Sequence, residues 1–184
     1  MPFYFAYGSN MDRAAMAARC PRARMLGLAR LERHRLALMR EGYLTVMRDP
    51  RRAVHGLLWD LPLADMPALD RYEGVSAGLY TKMQQPVVGE AGIRKALVYL
   101  GTNAGSGAPA PGYLEGVLDA AVQAGLPPAA LAEITALAGG RIGRPGPAAP
   151  ARPPAGPVAA VRPTRATPRD APRPATKPGW NWTP

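Results

Sequence analysis

Apolar positions gather at the very start of the chain. Phe3 to Tyr7 is a run of aromatic and small apolar residues, which predicts a buried strand. Gly8 interrupts it, because a residue without Cβ reaches backbone conformations closed to the others. Ser9 or Asn10 then offers an N-cap to an alanine-rich stretch, Met11 to Arg19, that favours helix. Ser9 and Asp12 also have the spacing of a capping box.

Beyond Pro21 the pattern turns to strands. Arg22 to Leu31 carries apolar residues at Met25, Leu26, Leu28 and Leu31, and His34 to Met39 alternates at period two. Glu41-Gly42 predicts a turn into a strand at Tyr43 to Met47, which Asp49-Pro50 closes. Ala53 to Trp59 predicts a further strand, with Gly56 marking a bulge or a close approach. Asp65 is placed to cap a short helix that tolerates Pro67 in its first turn and stops at Gly74. Leu79 to Val88 and Ile93 to Tyr99 read as a strand pair joined at Gly89-Glu90-Ala91-Gly92. From about residue 111 to 124, Leu114, Val117, Leu118, Ala121 and Val122 form a stripe at helical period. Pro127-Pro128 opens a last helix through about Ala138. Short strands with helices at the margins predict an α+β domain over residues 1–140, its mixed or antiparallel sheet curling toward a barrel.

From Gly139 onward the periodicity gives way to Arg-Pro, Ala-Pro and Gly-Pro units, and composition sharpens the boundary. Residues 141–184 hold 12 of the 22 prolines and 8 basic residues against 1 acidic, a net of +7. Residues 1–140 hold 15 basic and 12 acidic residues, a net of +3. A proline-rich stretch of one charge sign with no apolar period predicts a disordered tail. It reads as a solvated extension; the sharper alternative is a weak, nonspecific contact with nucleic acid or anionic lipid, helped by Trp180 and Trp182. The single cysteine, Cys20, excludes an intrachain disulfide. No apolar run is long enough to span a bilayer and no leader pattern opens the chain, so a cytoplasmic protein without membrane insertion is expected.

Candidate chemistry is sparse. A glycine turn from strand to helix leaves N–H groups that suit an anion or a developing oxyanion, though it is equally an ordinary corner. Glu73, just before Gly74, sits at a helix C-terminus, where the dipole's negative end disfavours the ionised carboxylate. That suits a general base; standing alone, Glu73 would read as a turn glutamate. Tyr80 and Tyr113 each offer an aromatic face and a hydroxyl, and Tyr113 serves equally as packing. His34 and His55 lack a second ligand at metal spacing and read as structural. Cys20 has no Cys-His motif about it. Ser9 lacks the Gly-x-Ser-x-Gly elbow and reads as a cap. Neither a P-loop nor a dinucleotide fingerprint is present.

Three stretches carry a resemblance. Tyr4 to Met11, with Tyr7-Gly8-Ser9-Asn10 at its centre, resembles the substrate loop of the γ-glutamylcyclotransferase-like (AIG2-like) family. Leu69-Asp70-Arg71-Tyr72-Glu73-Gly74-Val75, followed by Gly78-Leu79-Tyr80, resembles the segment that carries the family's catalytic glutamate. Pro109 to Pro128, with Pro-x-Pro-x-Tyr leading into a helix, resembles a third. They occur in the family's order over roughly residues 1–135. The resemblance implies the same barrel architecture and Glu73 as general acid and base. It implies substrate contacts from Tyr4, Tyr7, Gly8, Ser9, Asn10, Met11, Tyr80 and Tyr113.

The implied reaction converts a γ-glutamyl amino acid or γ-glutamyl amine to 5-oxoproline and a free amine, without cofactor or metal. The substrate's own α-amino group attacks its γ-carbonyl, which agrees with a sequence showing no protein nucleophile. Amino acid, polyamine, alkylamine and peptide remain open for the amine half. The rival expectation is a non-catalytic module that binds a small γ-glutamyl-like molecule on the same fold; the glutamate at position 73 argues against it.

Overall fold

The computed structural model describes residues 2–105 and 107–139, and the expected tail at 141–184 lies outside them. Strand β1 (Phe3–Ala6) is followed by a 3-10 turn (Ser9–Met11) and helix α1 (Arg13–Arg19). The chain continues through β2 (Arg24–Met39), β3 (Leu44–Asp60), α2 (Met66–Glu73), β4 (Tyr80–Gly89) and β5 (Gly92–Gly101). A two-residue strand β6 (Ala104–Gly105), α3 (Tyr113–Ala124) and α4 (Pro128–Leu137) complete it.

Tyr4, Phe5 and Ala6 are all buried, as an apolar strand with partners on both sides should be. β1 lies between β3, antiparallel, and β5, parallel. The order β3-β1-β5-β4-β2 closes through the pairing of β2 with β3, making a five-stranded barrel of mixed sheet. β6 hangs on the end of β2. The expected α+β barrel with flanking helices is therefore observed. Gly56 is a close approach: a Cβ there would stand 2.1 Å from the Ala6 carbonyl oxygen of β1.

Several local expectations are corrected. The two strands expected in 22–39 are one, β2, carried through a bulge between Glu32 and His34 where Arg33 takes φ 59°. β3 likewise runs past Pro50. The register passes from Arg48 opposite His34 to Ala53 opposite Glu32, so the proline falls in an irregular stretch that asks no ladder bond of it. Asp12, rather than Ser9 or Asn10, caps α1, its Oδ1 accepting from the N–H groups of Ala14 and Ala15. The 3-10 turn delays the helix by one short element.

Asp65 precedes α2 as expected, but its carboxylate does not cap the helix; Oδ2 accepts from the Arg22 N–H at 2.9 Å. In α3 the buried face is Leu114, Val117, Ala120 and Ala121, while Val122 is half exposed. The rotation buries the two alanines in place of Val122. His34 is buried with Nδ1 2.7 Å from the Glu32 carbonyl oxygen, at the bulge.

Candidate active site

The strand–turn at the start of the chain and the end of α2 meet at one end of the barrel. Helix α2 stops because Gly74 adopts the left-handed conformation, φ 65° and ψ 38°. The N–H of Val75 then reaches the Asp70 carbonyl at 3.1 Å, closing the helix end. Glu73 is thereby the last helical residue, and it is 7% exposed.

A pocket of about 350 Å³, its open mouth included, is lined by Tyr4, Tyr7, Gly8, Ser9, Asn10 and Glu73 together with Tyr43, Leu44, Tyr80, Tyr99 and Tyr113. Seven of the eight residues expected to contact substrate thus share one cavity with Glu73. Met11 does not line it: its side chain is in the core, and its N–H donates to the Gly8 carbonyl at 2.9 Å. The turn's remaining candidate donors are the N–H groups of Gly8, Ser9 and Asn10.

Asn10 is the hub. Its Nδ2 donates to Glu73 Oε1 at 2.7 Å and to the Tyr4 hydroxyl at 2.9 Å, while Oδ1 accepts from Arg19 Nη1. The Ser9 hydroxyl lies 3.0 Å from the Tyr72 hydroxyl. Tyr7 donates to the Tyr99 carbonyl at 2.5 Å. Tyr80 donates to the Leu44 carbonyl at 2.7 Å, and Tyr113 accepts from the Leu44 N–H at 3.2 Å. The Tyr80 hydroxyl proton is therefore committed to backbone, which makes Tyr80 chiefly an aromatic wall.

Gly8 has φ −128°, so its value here is space rather than a left-handed backbone: an added Cβ would stand 3.1 Å from the Tyr113 hydroxyl oxygen.

Sequence reasoning missed Tyr43, Leu44 and Tyr99. Tyr43 meets Tyr113 edge-on at 5.1 Å between centroids, and Tyr99 meets Tyr4 edge-on at 5.7 Å. The Tyr99 hydroxyl donates to Asp70 Oδ1 at 2.6 Å, and Asp70 Oδ2 takes Lys82 Nζ at 2.7 Å. Asp70 lies one turn before Glu73, so this network ties α2 to β4 and β5. Cys20 is buried, its Sγ 3.8 Å from the Asp65 carbonyl. Burial pushes its thiol up to about 11, which leaves it a poor nucleophile.

Burial, then the nearby Glu73 charge, raises Tyr4 and Tyr7 well above the usual phenol value. Burial and the bond to Asp70 raise Tyr99 likewise. Unfolded phenols ionise near pH ~10 while these hold their protons higher, so their contribution to stability is complete below pH ~10 and is lost above it. Each such group should cost about 1.4 kcal/mol per pH unit in that window. The melting temperature is expected to fall steeply as pH rises from about 10 to about 11; a constant value across that interval would contradict the burial of these hydroxyls.

Comparison with known proteins places this geometry. Residues 53–133 match the model of the AIG2-like family, a span that includes Glu73 but begins after the Tyr7–Asn10 turn. The Homo sapiens gamma-glutamylcyclotransferase is 30% identical over 135 residues, covering 67% of this chain and 72% of the relative. The Mus musculus gamma-glutamylcyclotransferase is 32% identical over the same length and shares. A solved structure named gamma-glutamyl cyclotransferase superposes with a TM-score of 0.69 at 28% identity, covering 73% of this chain and 86% of that one. Similarity of this extent, over a barrel that brings the turn and the helix-end glutamate together, makes the chain a member of the γ-glutamylcyclotransferase-like (AIG2-like) family.

Proposed function

We propose that this chain converts a γ-glutamyl amino acid or γ-glutamyl amine to 5-oxoproline and a free amine, with Glu73 as general base and then acid. The observation that carries the reading is the buried Glu73 carboxylate facing the same small pocket as residues 7–10, held there by Asn10 at 2.7 Å. The names of the relatives support it.

Glu73 takes a proton from the substrate's α-ammonium. The freed amine attacks the γ-carbonyl carbon, forming the ring C–N bond and a tetrahedral oxyanion. As the oxyanion collapses, the bond to the departing nitrogen breaks and Glu73 returns its proton to that nitrogen; the ring nitrogen's second proton then passes through the same carboxylate to the released amine, leaving a neutral lactam, an ammonium ion and an ionised Glu73. The N–H groups of Gly8, Ser9 and Asn10 would receive the substrate carboxylate or the oxyanion. The tyrosine walls exclude water and hold the glutamyl chain folded on itself, which supplies much of the rate.

Incubation with a panel of γ-glutamyl compounds, with 5-oxoproline and glutamate both quantified, tests the reading. It expects 5-oxoproline from at least one compound. Tight binding without turnover across the panel would favour the non-catalytic module instead.

Within the turn, Gly8→Val should be far more damaging to kcat/KM than Ser9→Ala. The first places a branched side chain against the Tyr113 hydroxyl and into the pocket. The second removes one hydroxyl, engaged with Tyr72, and leaves the N–H donors in place. Steady-state kinetics of the two variants check the order; the reverse ranking would give Ser9 a chemical part that this mechanism lacks.

A further inference from the structure

Asn10 presents an amide, and an amide can turn over. In one orientation Nδ2 faces Glu73 and Tyr4; in the other, Oδ1 would face the carboxylate and repel it. Glu73 is buried, so that repulsion would be poorly screened. Asn10 is itself 3% exposed. The group on its far side is the Arg19 guanidinium, bonded through Nη1 to Oδ1. Arginine carries donors and no acceptor, so it accepts one orientation of Asn10 and refuses the other.

Arg19 has a second hold. It is the last residue of α1, where a cation is favoured by the helix dipole, and its guanidinium stands over the Tyr72 ring, 3.3 Å from the centroid. Tyr72 immediately precedes Glu73 on α2, and its hydroxyl meets Ser9. One side chain from α1 thus touches both parts of the pocket wall, the turn through Asn10 and α2 through Tyr72.

We propose that Arg19 is a positioning residue for the Glu73 carboxylate: it locks the Asn10 amide with both Nδ2 hydrogens turned on Glu73 and Tyr4. The inference rests on Glu73 as the acid–base group. It adds a residue outside the pocket lining, acting through Asn10 and never touching substrate.

Two substitutions separate orientation from bulk. Arg19→Gln keeps a polar side chain but can both donate and accept, so it permits either orientation of Asn10. Arg19→Lys donates only and keeps the cation. We expect Arg19→Gln to lower kcat by about 10–10²-fold, the scale of a misplaced reacting group, with KM changed less than about threefold. Arg19→Lys should recover at least about tenfold of that loss, since its ammonium still refuses the flipped amide. On an Asn10→Ala background, Arg19→Gln should cost no more than about a further twofold, because the pathway is already cut. Full additivity, equal kcat for the Gln and Lys variants, or wild-type kcat in Arg19→Gln would overturn the proposal.

A readout independent of turnover accompanies this. In the NMR spectrum the two Asn10 side-chain amide protons should be shifted by their bonds to Glu73 and Tyr4 and slow to exchange with solvent in the wild type and in Arg19→Lys, and should move toward ordinary asparagine shifts and exchange faster in Arg19→Gln. Unchanged signals in Arg19→Gln would overturn the lock even in an active enzyme. A wild type that makes no 5-oxoproline from any compound would overturn the reaction instead, while the amide signals still judge the lock.

Discussion

Glu73→Gln is expected to lower kcat by about 10²–10⁴, the usual worth of general acid–base catalysis, while the fold survives. The amide matches the carboxylate in shape and keeps an oxygen toward Asn10 Nδ2, now 2.7 Å from Glu73 Oε1. It cannot take a proton from the α-ammonium or hand one to the departing amine. The substituted position lies at the close of α2, whose stop depends on Gly74 and whose attachment depends on the Asp70 contacts with Tyr99 and Lys82. None of these is touched, so circular dichroism and melting temperature should stay near wild type. KM should change little if the carboxylate acts mainly in the transition state. Glu73→Asp supplies the contrast: it keeps the base but draws it back by roughly one bond length, about 1.5 Å. A displacement of that order is enough to cost about 10²-fold, so this variant should retain a small fraction of activity. Turnover near wild type in a folded Glu73→Gln protein would remove Glu73 from the mechanism.

How much of this could be read from the chain depends on how local each signal is. β1 and the stop of α2 were legible because one short run carries each: Phe3 to Tyr7 for the strand, Tyr72-Glu73-Gly74 for the helix end. Both deliver residues to the pocket. The α+β barrel was legible as a class, since alternation reports which face of a strand is buried. It does not report which strands become neighbours. Tyr99 reaches the site because β5 pairs in parallel with β1, and the Tyr7 hydroxyl bonds to the Tyr99 carbonyl across 92 positions of sequence. No period in the chain encodes that register. Tyr43 enters in the same way, through the turn between β2 and β3 that sets it against Tyr113.

Capping misled for a related reason. Ser9, Asn10 and Asp12 are all good caps, and local chemistry cannot rank them when Asn10 is required by Glu73 and Ser9 meets Tyr72. Asp12, with no such demand on it, takes the helix end. In the sequence, Arg19 marks only the end of an alanine-rich stretch. Its contacts with Asn10 and the Tyr72 ring arise only in the folded chain, which no local pattern reports.

The largest effect should come from altering the substrate and leaving the protein unchanged. In cyclisation the nucleophile is the substrate's free α-amine, so an acetyl group on that nitrogen removes the nucleophile altogether. Glu73 then has no ammonium to deprotonate, and the mechanism assigns no side chain as a nucleophile in its place. An amidase, whose nucleophile is water or a side chain, can still cleave the blocked compound if the acetyl group fits. The products distinguish the two chemistries independently, because cyclisation yields 5-oxoproline and hydrolysis yields glutamate. The decisive measurement is therefore product analysis on a matched pair, one free γ-glutamyl compound that turns over and its N-acetyl form. The account predicts 5-oxoproline from the first and no cleavage of the second; glutamate as the first product, or cleavage of the acetylated compound, would contradict it.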